Sequence, residues 1–117
     1  MRGIKRGSVW LVSVEPIIGR GIGKTRPAVV ISNDINNEYA ETVTVIPITS
    51  SVSKVYPFEV FLSKGTANLP KDSEAKCNQI ITVDKRRLIR QIGRVSQQTI
   101  KEIEKALLIH LGFEMYT

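Results

Sequence analysis

Residues Val9-Trp10-Leu11-Val12-Ser13-Val14 follow a glycine and are rich in strand formers, so a first strand is expected there, ended by Glu15-Pro16. Ile17 to Thr25 breaks the pattern with Gly19, Gly21 and Gly23 and with cations, which predicts a positively charged loop. From Pro27 to Ser32 the apolar character is continuous, as expected of a second strand covered on both faces. Asn33-Asp34 opens a polar connection with room for one helical turn. Thr42 to Thr49 alternates Thr with Val and then passes through Ile46-Pro47-Ile48. That predicts a third strand whose proline lies at an edge, a bulge or a strand end.

Phe58 to Leu62 reads as a fourth strand, and Ser63 to Ser73, with Gly65, Asn68 and Pro70, reads as a loop long enough to suggest a function. Ala75 to Val83 and Leu88 to Val95 are two more expected strands, joined by the basic turn Asp84-Lys85-Arg86-Arg87. Ser96 is placed to cap a helix running to about Gly112. Its apolar stripe is Ile100, Ile103, Leu107 and Leu111, with Lys101, Glu102 and Lys105 facing away and Ile109 roughly opposite the stripe. The pattern predicts a mainly β protein: about six short strands in a strongly bent sheet or small barrel, closed by a C-terminal α-helix. No internal boundary is visible, so residues 1–117 are expected to form one domain.

Composition narrows the chemistry. Seventeen Lys and Arg against eleven Asp and Glu give a net charge of +6, which favours polyanionic partners. Cys77 is the only cysteine, so an intrachain disulfide and a cysteine metal cluster are excluded and a reducing cytoplasm is expected. No run approaches the ~20 apolar residues of a membrane span, and the N-terminal stretch lacks the apolar core of a signal peptide. The single histidine, His110, rules out a paired-histidine acid and base as well as a multi-histidine metal centre.

Asp72 and Glu74 are near in sequence, but on a strand they would share one face rather than cage Mg²⁺. Gly23-Lys24-Thr25 resembles the end of a phosphate loop, yet the first glycine that motif needs would fall at Ile18. What remains at strand ends is Arg26, Thr49, Ser50 and Gln79, with Lys24, Lys76, Lys85, Arg86 and Arg87 around them. Cations, hydroxyls and amides of this kind bind phosphodiester oxygens and base edges, so the residues point to an RNA- or DNA-binding surface.

Arg6-Gly7-Ser8-Val9-Trp10-Leu11-Val12, Gly23 to Asp34, Val45-Ile46-Pro47-Ile48-Thr49-Ser50, Cys77-Asn78-Gln79-Ile80 and Thr82 to Leu88 match, in order and spacing, the MazF/PemK family of toxin endoribonucleases, which the sequence resembles over nearly its full length. The resemblance implies an SH3-like barrel of the type shared with CcdB, a homodimer, and inhibition by a cognate antitoxin. It also implies metal-independent cleavage of single-stranded RNA through the ribose 2′-OH, without a cofactor. Carried over by position, Arg26 and Thr49 are the catalytic pair, while Lys24, Thr25, Ser50, Lys76, Asn78 and Gln79 are the expected RNA contacts.

The pattern departs where relatives often carry carboxylates: Gly21 and Ile22 stand in the loop before the arginine, and Asn78 precedes the glutamine. Ile81 also replaces a common basic residue. Glu15, the nearest remaining carboxylate in sequence, is the candidate base, at a position to which the family gives no such role. The competing expectation is a non-catalytic module of the same barrel type: a CcdB-like gyrase poison or a plain RNA-binding barrel.

Overall fold

The computed structural model describes residues 3–13 and 24–114. Its elements are β1 (Ser8–Ser13), β2 (Thr25–Val30), α1 (Asp34–Tyr39), β3 (Thr42–Thr49), β4 (Glu59–Leu62), β5 (Ser73–Lys76), β6 (Ile81–Asp84), β7 (Leu88–Arg94) and α2 (Gln97–Leu111). The strands pair antiparallel in the order β4-β5-β3-β2-β1-β7, with β6 alongside the first half of β3. Seven strands therefore stand where six were expected, because the segment from Ala75 to Val83 is two strands separated by a 3₁₀ turn at Cys77–Gln79.

The continuous apolar run of β2 is explained by two cores, one on each face of the sheet. Val29 packs with Val9, Ile46, Ile48, Val60 and Leu62 beneath α2. Ala28 and Val30 turn the other way, to Trp10, Val12, Val43, Val45 and Leu88. The helix begins at Ser96, whose hydroxyl accepts the Thr99 N–H at 3.1 Å, and ends at Gly112, whose φ of 76° suits a residue without a Cβ. Ile100, Ile103 and Ala106 are its buried face. Burying either isoleucine contributes about 1.5–3 kcal/mol. The expected stripe is corrected at its end: Leu111 is 54% exposed and Ala106 takes a place in the core instead.

Pro47 lies inside β3 rather than at its end, and the strand's pairing shows why it is tolerated. On one side, β3 pairs with β6 through Thr42–Val45 and with β5 only from Ile48 onward. Ile46 and Pro47 fall in the gap between them, beside the 3₁₀ turn. Ile31 N–H donates to the Thr44 carbonyl across β2 and β3. Bonded and non-bonded pairs alternate along an antiparallel ladder, so Pro47, opposite Ala28, turns its nitrogen away from β2 and into that gap. No ladder bond is lost.

The segment from Ser63 to Ser73 is partly architectural. Its 3₁₀ turn at Thr66–Asn68 reaches β7, where the Asn68 Nδ2 donates to the Ile92 carbonyl at 2.8 Å. The turn can come this close because residue 93 is glycine: a Cβ there would lie 2.4 Å from the Ala67 carbonyl oxygen and 2.8 Å from the Ala67 Cα. We expect Gly93→Ala to cost roughly 1–3 kcal/mol or more, as overpacking against backbone does. Denaturant unfolding followed by circular dichroism would measure the loss.

Candidate functional site

Arg26 is the second residue of β2, at its exposed end, and Thr49 ends β3. The last register pair between these strands is Ala28 with Pro47. Continued two residues further, the same register sets Arg26 across from Thr49, on the sheet face that carries the second core. Both residues line two adjoining cavities. One, of about 350 Å³, is walled by Arg26, Pro47, Ile48, Thr49, Ser51, Lys76 and Gln79. The other, of about 260 Å³, adds Thr25, Ser50, Leu69, Pro70 and Lys71 to Arg26 and Thr49. The cleft opens where the β3 ladder is interrupted at Pro47, and the 3₁₀ turn that fills the interruption presents Gln79 to it.

Thr49 Oγ1 accepts the Ser51 N–H at 3.1 Å, a local turn bond that fixes its orientation. A hydroxyl that accepts this way keeps its own proton to donate. The Arg26 guanidinium is exposed, and among the described residues no carboxylate pairs with it. It presents five N–H donors in a planar fork.

Of the other expected contacts, Thr25, Ser50, Lys76 and Gln79 line the cleft. Lys24 is exposed just ahead of β2, and Asn78 is exposed on the 3₁₀ turn without lining either cavity. Glu15 lies outside the described residues, as does the glycine-rich stretch from Ile17 to Gly23. The basic turn Lys85–Arg87 is elsewhere: Arg86 is bonded to Asp84 at 3.1 Å, and the Arg87 guanidinium donates to the Ser13 carbonyl at 3.2 Å. His110 is exposed in the last turn of α2. Cys77 is buried, and burial first, then the charge of Glu59, pushes its thiol up to about 12, so it is no nucleophile.

Sequence patterning missed a charge cluster that runs under the cleft. Cross-strand register places Glu74 opposite Thr49 on one side and Phe61 on the other, and Lys76 opposite Glu59. The Lys76 ammonium donates to Glu59 Oε2 and lies 3.5 Å from Glu74 Oε1. Both carboxylates are buried. Lys76 is thus a tethered cation rather than a free one. Asp72 and Glu74 do not act together, since Asp72 is exposed and accepts the Lys64 N–H at 2.8 Å. The signal that could have found the cluster was pairing: Glu59 and Lys76 meet only once β4 and β5 are in register.

Burial pushes the Glu59 carboxyl upward, but the Lys76 hydrogen bond, the Tyr56 N–H and the Lys76 charge together outweigh it and hold the group below its usual range. The Glu59 hydrogen bond is the largest influence on Lys76 and holds its ammonium above the usual lysine value. A carboxylate depressed on folding stabilises the fold above its unfolded pKa of about 4.3, and that stabilisation is lost as the pH falls through the folded value. We therefore expect the Tm to drop as the pH is taken below about 4.3, and the drop to be shallower in Glu59→Gln. Thermal melts at stepped pH would show it.

A family model described as a PemK-like, MazF-like toxin of type II toxin-antitoxin systems matches residues 5–111. The chain is 42% identical over 113 residues to endoribonuclease MazF9 of Mycobacterium tuberculosis, covering 92% of this chain and 96% of that protein. Among solved structures, an endoribonuclease in complex with its cognate antitoxin from a mycobacterial species has a TM-score of 0.79 at 22% identity, with 96% of this chain and 98% of that one covered. A MazE-MazF structure from Deinococcus radiodurans has a TM-score of 0.78 at 25% identity, with 94% and 96% covered. The likeness holds for the whole bent sheet with its C-terminal helix. No helix among the described residues is long and apolar enough to cross a membrane.

Proposed function

The chain belongs to the PemK-like, MazF-like family of type II toxins, and from that premise we propose that it is an endoribonuclease that cuts single-stranded RNA in the cleft between Arg26 and Thr49. The observation that carries the reading is the convergence of these two side chains, from the facing ends of neighbouring strands, on the walls of both adjoining cavities. Neighbouring strands run about 4.8 Å apart, a span that one phosphate group can bridge with its nonbridging oxygens.

The ribose 2′-oxygen attacks the adjacent phosphorus and forms a new P–O bond, and the P–O5′ bond breaks in line with it. The products are a cyclic phosphate and a 5′-hydroxyl. Arg26 donates two parallel N–H bonds to the oxygens on which charge builds in the pentacoordinate state. Thr49 donates its hydroxyl proton to a nonbridging oxygen while the Ser51 N–H holds it in place. Gln79, across the same cavity, orients the strand through its amide. Water takes the 2′-OH proton and returns one to the leaving oxygen, and orientation of the nucleophile supplies up to roughly 7–11 kcal/mol. The need for a 2′-OH makes the enzyme selective for RNA over DNA.

In this reading residues 1–117 form one domain that works in the cytoplasm as a homodimer, is neutralised by a cognate antitoxin and needs no metal. Among the described residues no three His, Cys, Asp or Glu side chains group as a metal ligand set. Long single-stranded RNA should be cut at discrete sites in EDTA, with the ends mapped by primer extension. Arg26→Ala should lose ~100- to 1000-fold in kcat, as removal of a charge-stabilising donor does, and Thr49→Ala should lose a similar or smaller factor. Intact RNA together with blocked DNA supercoiling would favour a gyrase-directed poison instead.

A further inference from the structure

The cluster of Glu59, Lys76 and Glu74 carries an inference that rests on the RNA-cleaving reading and extends it. Lys76 is the one member that lines the cleft beside Arg26 and Thr49. Its ammonium has three protons. One goes to Glu59 Oε2 and a second faces Glu74 Oε1 at 3.5 Å, which leaves a third for the cavity. The side chain is only 23% exposed, and its two carboxylate neighbours are 1% and 4% exposed. Such burial fixes a lysine that would otherwise sample many rotamers. Glu59 is fixed in turn by the Tyr56 N–H, which donates to its Oε1 at 3.1 Å.

Glu74 is the unusual member. Its Oε2 is buried and has no hydrogen-bond partner among the described residues. A half-satisfied buried carboxylate costs stability, and an ion pair between buried partners already gains little over apolar packing. The group therefore does not sit under Thr49 for the sake of the fold.

We propose that Glu59 and Glu74 are positioning residues that hold the Lys76 ammonium as a fixed hydrogen-bond donor to a phosphate oxygen of RNA bound in the Arg26–Thr49 cleft. The carboxylates offset the lysine's charge, so the strand is not held tightly by attraction alone. What Lys76 contributes is direction: its third proton meets the phosphate once the strand is seated between Arg26 and Thr49. Affinity and turnover are thereby separated, since the pair that improves the donor's aim weakens the ground-state attraction.

Steady-state kinetics on an RNA oligonucleotide spanning a cut site mapped for the parent chain would test this. Glu74→Met keeps the Glu59–Lys76 bond and removes the unpartnered oxygen. It should lower kcat about tenfold and also lower KM, with the Tm unchanged or raised. A merely structural role predicts the reverse: a lower Tm with kcat kept. The triple variant Glu59→Gln/Lys76→Met/Glu74→Met removes the three charges together and strands none of them. It should lower kcat by ~100-fold, the scale of a lost donor to developing charge.

A triple variant that cuts with the parent's kcat and KM overturns the assignment, as does Glu74→Met with unchanged kcat. Should the triple variant fail to fold, Glu74→Met decides alone. A parent chain that leaves the RNA intact defeats the cleavage reading itself, whereas a cutting parent beside an equally active triple variant defeats only the role of this cluster.

Discussion

The structure turns on a single missing hydrogen-bond donor. Pro47 has no N–H, and the β3 ladder is arranged so that none is needed: its nitrogen faces the gap where β6 has ended and β5 has not begun. The gap forces the chain between β5 and β6 into the 3₁₀ turn Cys77–Gln79. Cys77 goes inward to the core and Gln79 outward to the cleft. Beyond the gap, β3 continues for only two residues, and the second of these is Thr49. The catalytic threonine proposed here therefore sits at the end of a strand whose last two residues are paired with β5 alone, past the end of the β2 ladder.

The same face of the sheet changes character along its length. Val43 and Val45 on β3, with Ala28 and Val30 on β2, pack with Trp10 and Val12 in an apolar core. Past Pro47, that face carries Arg26, Thr49, Glu74 and Lys76, since side chains two apart along a strand share a side. A polar cleft thus continues directly from a dry core. Its floor is anchored by well-packed strands, which set the backbone positions of the functional groups, while Lys76 is aimed by its carboxylate neighbours. This rigidity suits a catalyst that works by aiming donors at a phosphate, because a donor misplaced by an ångström gives up much of its effect.

Much of this was legible in the sequence, for physical reasons that differ from element to element. The Thr/Val alternation marks β3, and the uninterrupted Pro27 to Ser32 run marks a strand covered on both faces. Ser96 and Gly112 bracket α2 through their capping chemistry. Arg26 and Thr49 were legible as a pair only through the ordered motifs around them, since neither residue alone distinguishes a phosphate ligand from a surface side chain. The break at Cys77–Gln79 was not legible because no glycine or proline marks it; its cause lies thirty residues earlier, in Pro47. Leu111 fits the helical period yet is exposed at the end of α2, so periodicity overstated the buried face. Glu59, Lys76 and Glu74 were unreadable as a cluster because cross-strand register, not sequence spacing, joins them.

Charge is distributed unevenly, and the unevenness bears on how RNA arrives and leaves. Around the cleft, Arg26, Lys71 and Lys76 stand against Glu59 and Glu74, a small cationic excess. A larger excess lies elsewhere: Lys85 to Arg94 holds five cations and no carboxylate, and β7 sits at the opposite end of the sheet order from β4 and β5. A field spread over the body of the protein speeds encounter with a polyanion and weakens with salt, whereas donors at the cleft act only at contact. Steering is thereby assigned to one part of the molecule and alignment to another. An enzyme whose cleft was itself strongly cationic would hold substrate and product alike, and uniform binding of that kind lowers KM without raising kcat. The two buried carboxylates beneath Thr49 keep the cleft from becoming such a trap, at some cost to the stability of the strands that carry them.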